Sequence, residues 1–234
     1  MAQYDNRFAQ AGYGSRTAVG VDEGLRAYML RVYNYMAGGV LLTGLVAYFV
    51  SAAAIANGPA GAAARMGSKY LTPFGAALYG SPIRYVIMLL PLAFVFYLSF
   101  RIYKMSVGAA QIAFWAFAAA MGLSLSSIFL VYTGQSITQV FFVTAAAFAG
   151  LSLFGYTTKR DLSGMGSFLI MGVIGLIIAS VVNIFLQSSG LSFAVSVLGV
   201  LIFAGLTAYD TQQIKDNYYA AGGDSSVLHN TAIM

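Results

Sequence analysis

The feature that most constrains this chain is a succession of apolar runs, each too long for a strand and too uninterrupted for a soluble surface. They fall at Met29–Ala53, about Arg84–Phe100, about Ala109–Tyr132, about Ile137–Tyr156, about Met165–Leu186 and about Leu191–Tyr209. Roughly 20 apolar residues in a helix cross a hydrocarbon core. Within lipid every backbone polar group needs an internal partner, so runs of this length are helices rather than single strands. Composition agrees: 59% of residues are hydrophobic and 8% charged, with mean hydropathy +0.78. Soluble domains carry about 25% charged residues, so bilayer must serve as solvent for most of the exterior. The expected fold is an all-α polytopic integral membrane bundle with six transmembrane helices, one domain over residues 26–234.

The segments between the runs are read in turn. Residues 1–25 are polar and rich in Gly and Ala, and are expected to be a disordered tail with no cleavable signal peptide. Gly38, Gly39 and Gly44 give the first span small faces for close helix contact. Residues 54–83 read as a long Gly/Ala/Pro-containing loop. Pro91 lies in the middle of the second span, where a kink is expected. In the third span Gly122, Ser124, Ser126 and Ser127 form a small polar stripe, expected to bond back to helix carbonyls or to a neighbouring helix. Asn183 and Gln187, one helical turn apart, read as interhelical hydrogen-bond glue. Asp161, beside Lys159 and Arg160, reads as a solvated loop charge.

Basic residues set the orientation. With the N-terminus inside, Arg7, Arg16, Arg26, Arg31, Arg101, Lys104, Lys159, Arg160 and Lys215 fall on the inner side. Only Arg65, Lys69 and Arg84 fall outside. The net charge of +5 is therefore topology signalling rather than a nucleic-acid patch. With no cysteine, disulfides and thiolate metal sites are excluded. The lone histidine, His229, cannot build a His-rich site. No phosphate loop, HExxH motif or nucleophile–base pair is visible, so no enzyme activity and no cofactor are expected.

One residue stands apart. Of the seven acidic residues, only Asp210 is joined directly to a long apolar helix, in the run Leu198–Lys215 (LGVLIFAGLTAYDTQQIK). A carboxylate there is costly without a partner, a proton or water. An anion near a helix C-terminus also opposes the macrodipole, by roughly 0.3–1 kcal/mol, so helix stability does not explain it. Ser196, Gly199, Phe203, Thr207 and Asp210 share one face at spacings of three and four, expected to face protein.

The stretches RVYNYMAGGVLLTGLVAYFV, MGLSLSSIF, FGYTTKRDLSGMGSFL, VVNIFLQSS and FAGLTAYDTQQIK, in that order from about residue 24 to residue 232, resemble the Bax-inhibitor (transmembrane Bax-inhibitor-motif) family, especially its bacterial branch. The resemblance implies a seven-helix fold with a central C-terminal helix. It also implies a pH-sensitive calcium leak worked by two aspartates on the last two helices. Asp210, in AYDTQQIK, matches the first of that pair and would be the pH sensor and calcium ligand. Asp216 and Asp224 lie in polar sequence and do not match the second, so the chain is expected to lack the family's last helix. The family's basic latch would map to Arg101 or Lys104. PLAFVFYLS stands where the family's second helix often carries an acid. The implied location is a bacterial inner membrane with the N-terminus cytoplasmic, with membrane lipid as partner and oligomeric state open. The alternative implied by bacterial relatives is a regulator that restrains a membrane-embedded ATP-dependent protease through residues 1–25.

Overall fold

The computed structural model describes residues 6–66, 69–101 and 104–220, with side chains described from Glu23 onward. Its helices are α1 (Asn6–Ala54), α2 (Pro73–Gly80), α3 (Ile83–Arg101), α4 (Val107–Leu125), α5 (Ile128–Val131), α6 (Gly134–Thr157), α7 (Ser163–Leu186) and α8 (Ser189–Ala220). Three short strands lie between α1 and α2: β1 (Ile55–Ala56), β2 (Ala64–Met66) and β3 (Lys69–Leu71). Among the described residues six segments are long and apolar enough to cross a membrane: Glu23–Ala54, Ile83–Arg101, Val107–Val131, Gly134–Thr157, Ser163–Leu186 and Ser189–Ala220. The chain is thus a polytopic helical membrane protein, as its apolar runs require. Its described residues divide into two compact units, one up to Ile137 and one from Thr138 to Ala220.

In the first unit α1 packs along α4, and small residues set the approach. The side chains of Trp115 and Phe114 close over Gly38 and Gly39, and the Thr43 carbonyl and Val46 over Gly122. The Thr43 hydroxyl donates to the Ala118 carbonyl at 2.8 Å, tying the two helices across their interface. Gly44 has open space around it, so it takes no part in this contact. The backbone of α1 is helical over residues 6–25, where a disordered tail was expected; side chains before Glu23 lie outside the described residues. Leu25, Tyr28 and Met29 are already buried, so packing begins at the edge of that tail.

Residues 54–83 are more than a loop. They form an antiparallel sheet in the order β1-β3-β2, with Ile55 opposite Leu71 and Arg65 opposite Tyr70. Thr72 then caps α2. Its hydroxyl accepts from the Gly75 amide at 3.1 Å and donates to the Ala53 carbonyl at 2.9 Å, with Pro73 in the first turn, where its missing N–H costs nothing. A Cβ on Gly75 would collide with the Ala54 carbonyl. Ala54, Leu71, Tyr79 and Leu130 make one buried cluster. The helix α3 continues through Pro91, which is buried within it.

The third apolar run is split. Ser126, fully buried, donates to the Leu123 carbonyl at 2.6 Å and shares a 2.7 Å hydrogen bond with the Tyr79 hydroxyl. The Ser127 hydroxyl donates to the Ser124 carbonyl at 3.2 Å. These serines bond as expected of a packing stripe, and they also mark the break between α4 and α5.

Candidate functional site around Asp210

The second unit holds α7 against α8 as an antiparallel hairpin. Its turn is made by Gln187 in the left-handed conformation (φ 48°), whose amide donates to the Asn183 carbonyl at 2.8 Å. Asn183 is the interhelical tie anticipated for it: its side-chain nitrogen donates to the Ser192 hydroxyl at 2.7 Å, and its oxygen accepts from the Ser188 amide at 3.0 Å. Gln187 is a turn former instead, because the chain must reverse there within three residues.

At the other end of this unit α8 grips both α6 and the α6–α7 connection. Gly155 lets the α8 backbone come against α6, since a Cβ there would strike the Ala208 carbonyl. Gly166, on α7, likewise makes room for the Tyr209 ring of α8. Ser152 and Thr211, both buried, share a hydrogen bond of 3.2 Å. The buried Gln212 side chain clamps the connection: its oxygen accepts from the Leu162 amide at 2.8 Å, and its nitrogen donates to the Arg160 carbonyl at 2.8 Å. One turn further on, Lys215 Nζ donates to the Tyr156 carbonyl at 3.0 Å, where a cation suits a helix C-terminus. Asp161 accepts from the Ser163 amide at 2.9 Å at the start of α7. Hydrogen bonds from Ser163, side chain first and backbone second, hold its carboxyl below the usual range. It is therefore a local turn former as well as a solvated charge.

Asp210 lies inside this region, about 32 Å along α8 at ~1.5 Å per residue. Two expectations about it are revised. First, α8 continues to Ala220, so Asp210 is not at a helix end. The macrodipole argument then lapses, because that effect fades beyond the last turn. Second, the stripe Ser196–Gly199–Phe203–Thr207–Asp210 is not the face that packs within this unit. Ser196, Phe203 and Asp210 are exposed, and the Ser196 and Thr207 hydroxyls donate to carbonyls of their own helix, Ser192 and Phe203. The packed face carries Gly205, Ala208, Thr211, Gln212 and Lys215, at the same three-and-four spacing one position over. Apolar pattern could not separate the two faces, because most of α8 is apolar all round.

Arg101 is the exposed last residue of α3 and Lys104 follows it, exposed; both belong to the first unit. Asp216 is exposed on α8, while Asp224 and His229 lie outside the described residues. Among the described residues there is no cluster of three or more His, Cys, Asp or Glu side chains. Any cation at Asp210 would therefore meet fewer than three such groups from this set and otherwise backbone, hydroxyl or water oxygens. Thr211, Gln212 and Lys215 are the residues that sequence reasoning missed. Their signal was the return of polar side chains at positions three and four apart, in phase with Ala208.

Comparison with known proteins agrees with this architecture. A family model described as inhibitor of apoptosis-promoting Bax1 matches residues 25–233. A protein of Caulobacter vibrioides is 45% identical over 229 residues, covering 97% of this chain and 88% of its own length. A protein of Rickettsia prowazekii is 45% identical over 203 residues, 87% of this chain and 78% of its own. The inner membrane protein YbhL of Escherichia coli is 45% identical over 193 residues, 82% of this chain and 75% of its own. With its six apolar helices and a match spanning nearly all of them, this chain belongs to the Bax inhibitor family of multi-pass membrane proteins.

Proposed function

We propose that this protein is a pH-sensitive leak pathway for calcium or a similar cation, with Asp210 as its titrating group. One observation carries the reading: an exposed carboxylate stands next in sequence to the Thr211–Gln212 clamp, inside an unbroken helix. A charge at that place is expensive unless it is matched, so its protonation state changes the local energy by more than a surface charge would. Ionised, Asp210 attracts a cation. Protonated, it becomes a neutral hydrogen-bonding group and the pathway closes. Because Gln212 holds the α6–α7 connection, a shift of α8 at Asp210 would be felt by α6 and α7 together. The Lys and Arg distribution favours an inner-membrane protein with its N-terminus in the cytoplasm.

The test is calcium flux into dye-loaded liposomes bearing the whole chain, measured across acidic to mildly alkaline pH. Flux is expected to rise with pH in the parent protein. In Asp210→Asn the pH response is expected to flatten, while the protein remains folded by circular dichroism. A variant with the parent's flux and pH profile would refute the assignment.

A further inference from the structure

A second place in the molecule brings polar groups together without any role in the leak reading. Between α1 and α4, in the first unit, an open cavity of about 470 Å³ is lined by Ala27, Leu30, Arg31, Asn34, Tyr35 and Trp115. The five α1 residues fall at helical spacings of three and four, so Arg31, Asn34 and Tyr35 share one face of the helix. Trp115 closes the cavity from α4.

The chemistry is that of a site for an anion with a greasy tail. Arg31 lies near the start of the apolar segment Glu23–Ala54, and among the described residues no acidic side chain lines the cavity. A guanidinium in such a segment needs an anionic or water partner, and its planar fork suits the oxygens of a phosphate. Asn34 adds amide donors one turn away. The Tyr35 hydroxyl accepts a 2.9 Å hydrogen bond from Gln111, which leaves its own proton to donate. Leu30, Ala27 and the Trp115 ring supply an apolar wall beside these donors, and a cavity of this size accommodates a small polar headgroup. Basic pockets between membrane helices bind acidic lipid headgroups by this combination.

We propose that this cavity binds the phosphate of an anionic phospholipid, with Arg31 as the principal ligand and Asn34 and Tyr35 as secondary donors. Trp115 is the only tryptophan in the chain, so its fluorescence reports on this one place. The experiment places the whole protein in vesicles of mixed phosphatidylglycerol and phosphatidylcholine. Either one lipid or the other carries brominated chains that quench tryptophan on contact. Quenching is expected to favour the brominated phosphatidylglycerol by about five-fold, the preference that one basic residue confers near a membrane surface. Arg31→Gln should bring the two lipids to parity, while Lys69→Gln, a charge-matched change on β3, should leave the preference intact.

Inorganic phosphate at matched ionic strength distinguishes the sources of the ligand. No effect is expected; loss of the preference would make the site one for free phosphate and overturn the lipid assignment. Equal quenching in the parent protein, or a preference that survives Arg31→Gln, would overturn it as well. Should Arg31→Gln fail to fold, Asn34→Ala and raised salt decide, since both are expected to weaken the preference. An unchanged ratio under both would end the proposal.

Discussion

At the scale of single residues, the strongest fixed point near the candidate site is Gln212. Its amide satisfies two backbone groups of a connection some fifty positions earlier, the Leu162 N–H and the Arg160 carbonyl. Buried backbone groups left without partners cost about 1–3 kcal/mol each. Gln212→Leu should therefore lower the melting temperature in detergent and expose residues 157–163 to protease, whereas Gln213→Leu on the exposed side should do neither. Equal behaviour of the two variants would contradict the clamp. This role was invisible in sequence, because a glutamine bonded to backbone leaves no mark on the identity of its partners. Asp210 was visible for the opposite reason, as an acid joined to an apolar run. Its direction was not legible, since spacing alone offers α8 several faces.

At the scale of elements, the helices were legible and the joints were not. The apolar runs located every spanning helix to within a few residues at most ends, because membrane thickness fixes their length. The sheet between α1 and α2 has strands of two or three residues, too short to show alternation. The break between α4 and α5 sits at Ser126, which is bonded to Tyr79, 47 positions away. Tyr79 makes that joint sensitive to alkali. Burial raises its phenol above the ordinary 10.0, and the Ser126 hydrogen bond only partly offsets this. A raised folded-state value means that the stability from the neutral phenol is complete below the unfolded value, near 10, and is lost as pH rises through the folded one. Melting followed from about pH 8 to 11 should fall steeply at the alkaline end in the parent and less so in Tyr79→Phe. At neutral pH the variant should lose only about 0.5–1.5 kcal/mol, one ordinary hydrogen bond.

At the scale of the whole molecule, the absence of cysteine makes the topology directly testable, because a single introduced thiol has no competitor. Gly58→Cys, in the exposed segment after β1, should react with an impermeant maleimide added to intact cells. Lys159→Cys, in the α6–α7 connection, should react only after the membrane is opened. The reverse pattern would invert the proposed orientation. The length of α8 carries a further consequence. Its 32 residues make a rod of about 48 Å, against roughly 30 Å of hydrocarbon. Fitting it wholly inside would demand a lean steeper than the ~40° at the limit of observed tilts. The final turns must therefore stand clear of the oily layer as a stiff stalk, offering Asp216 and Tyr219 to whatever diffuses along the surface.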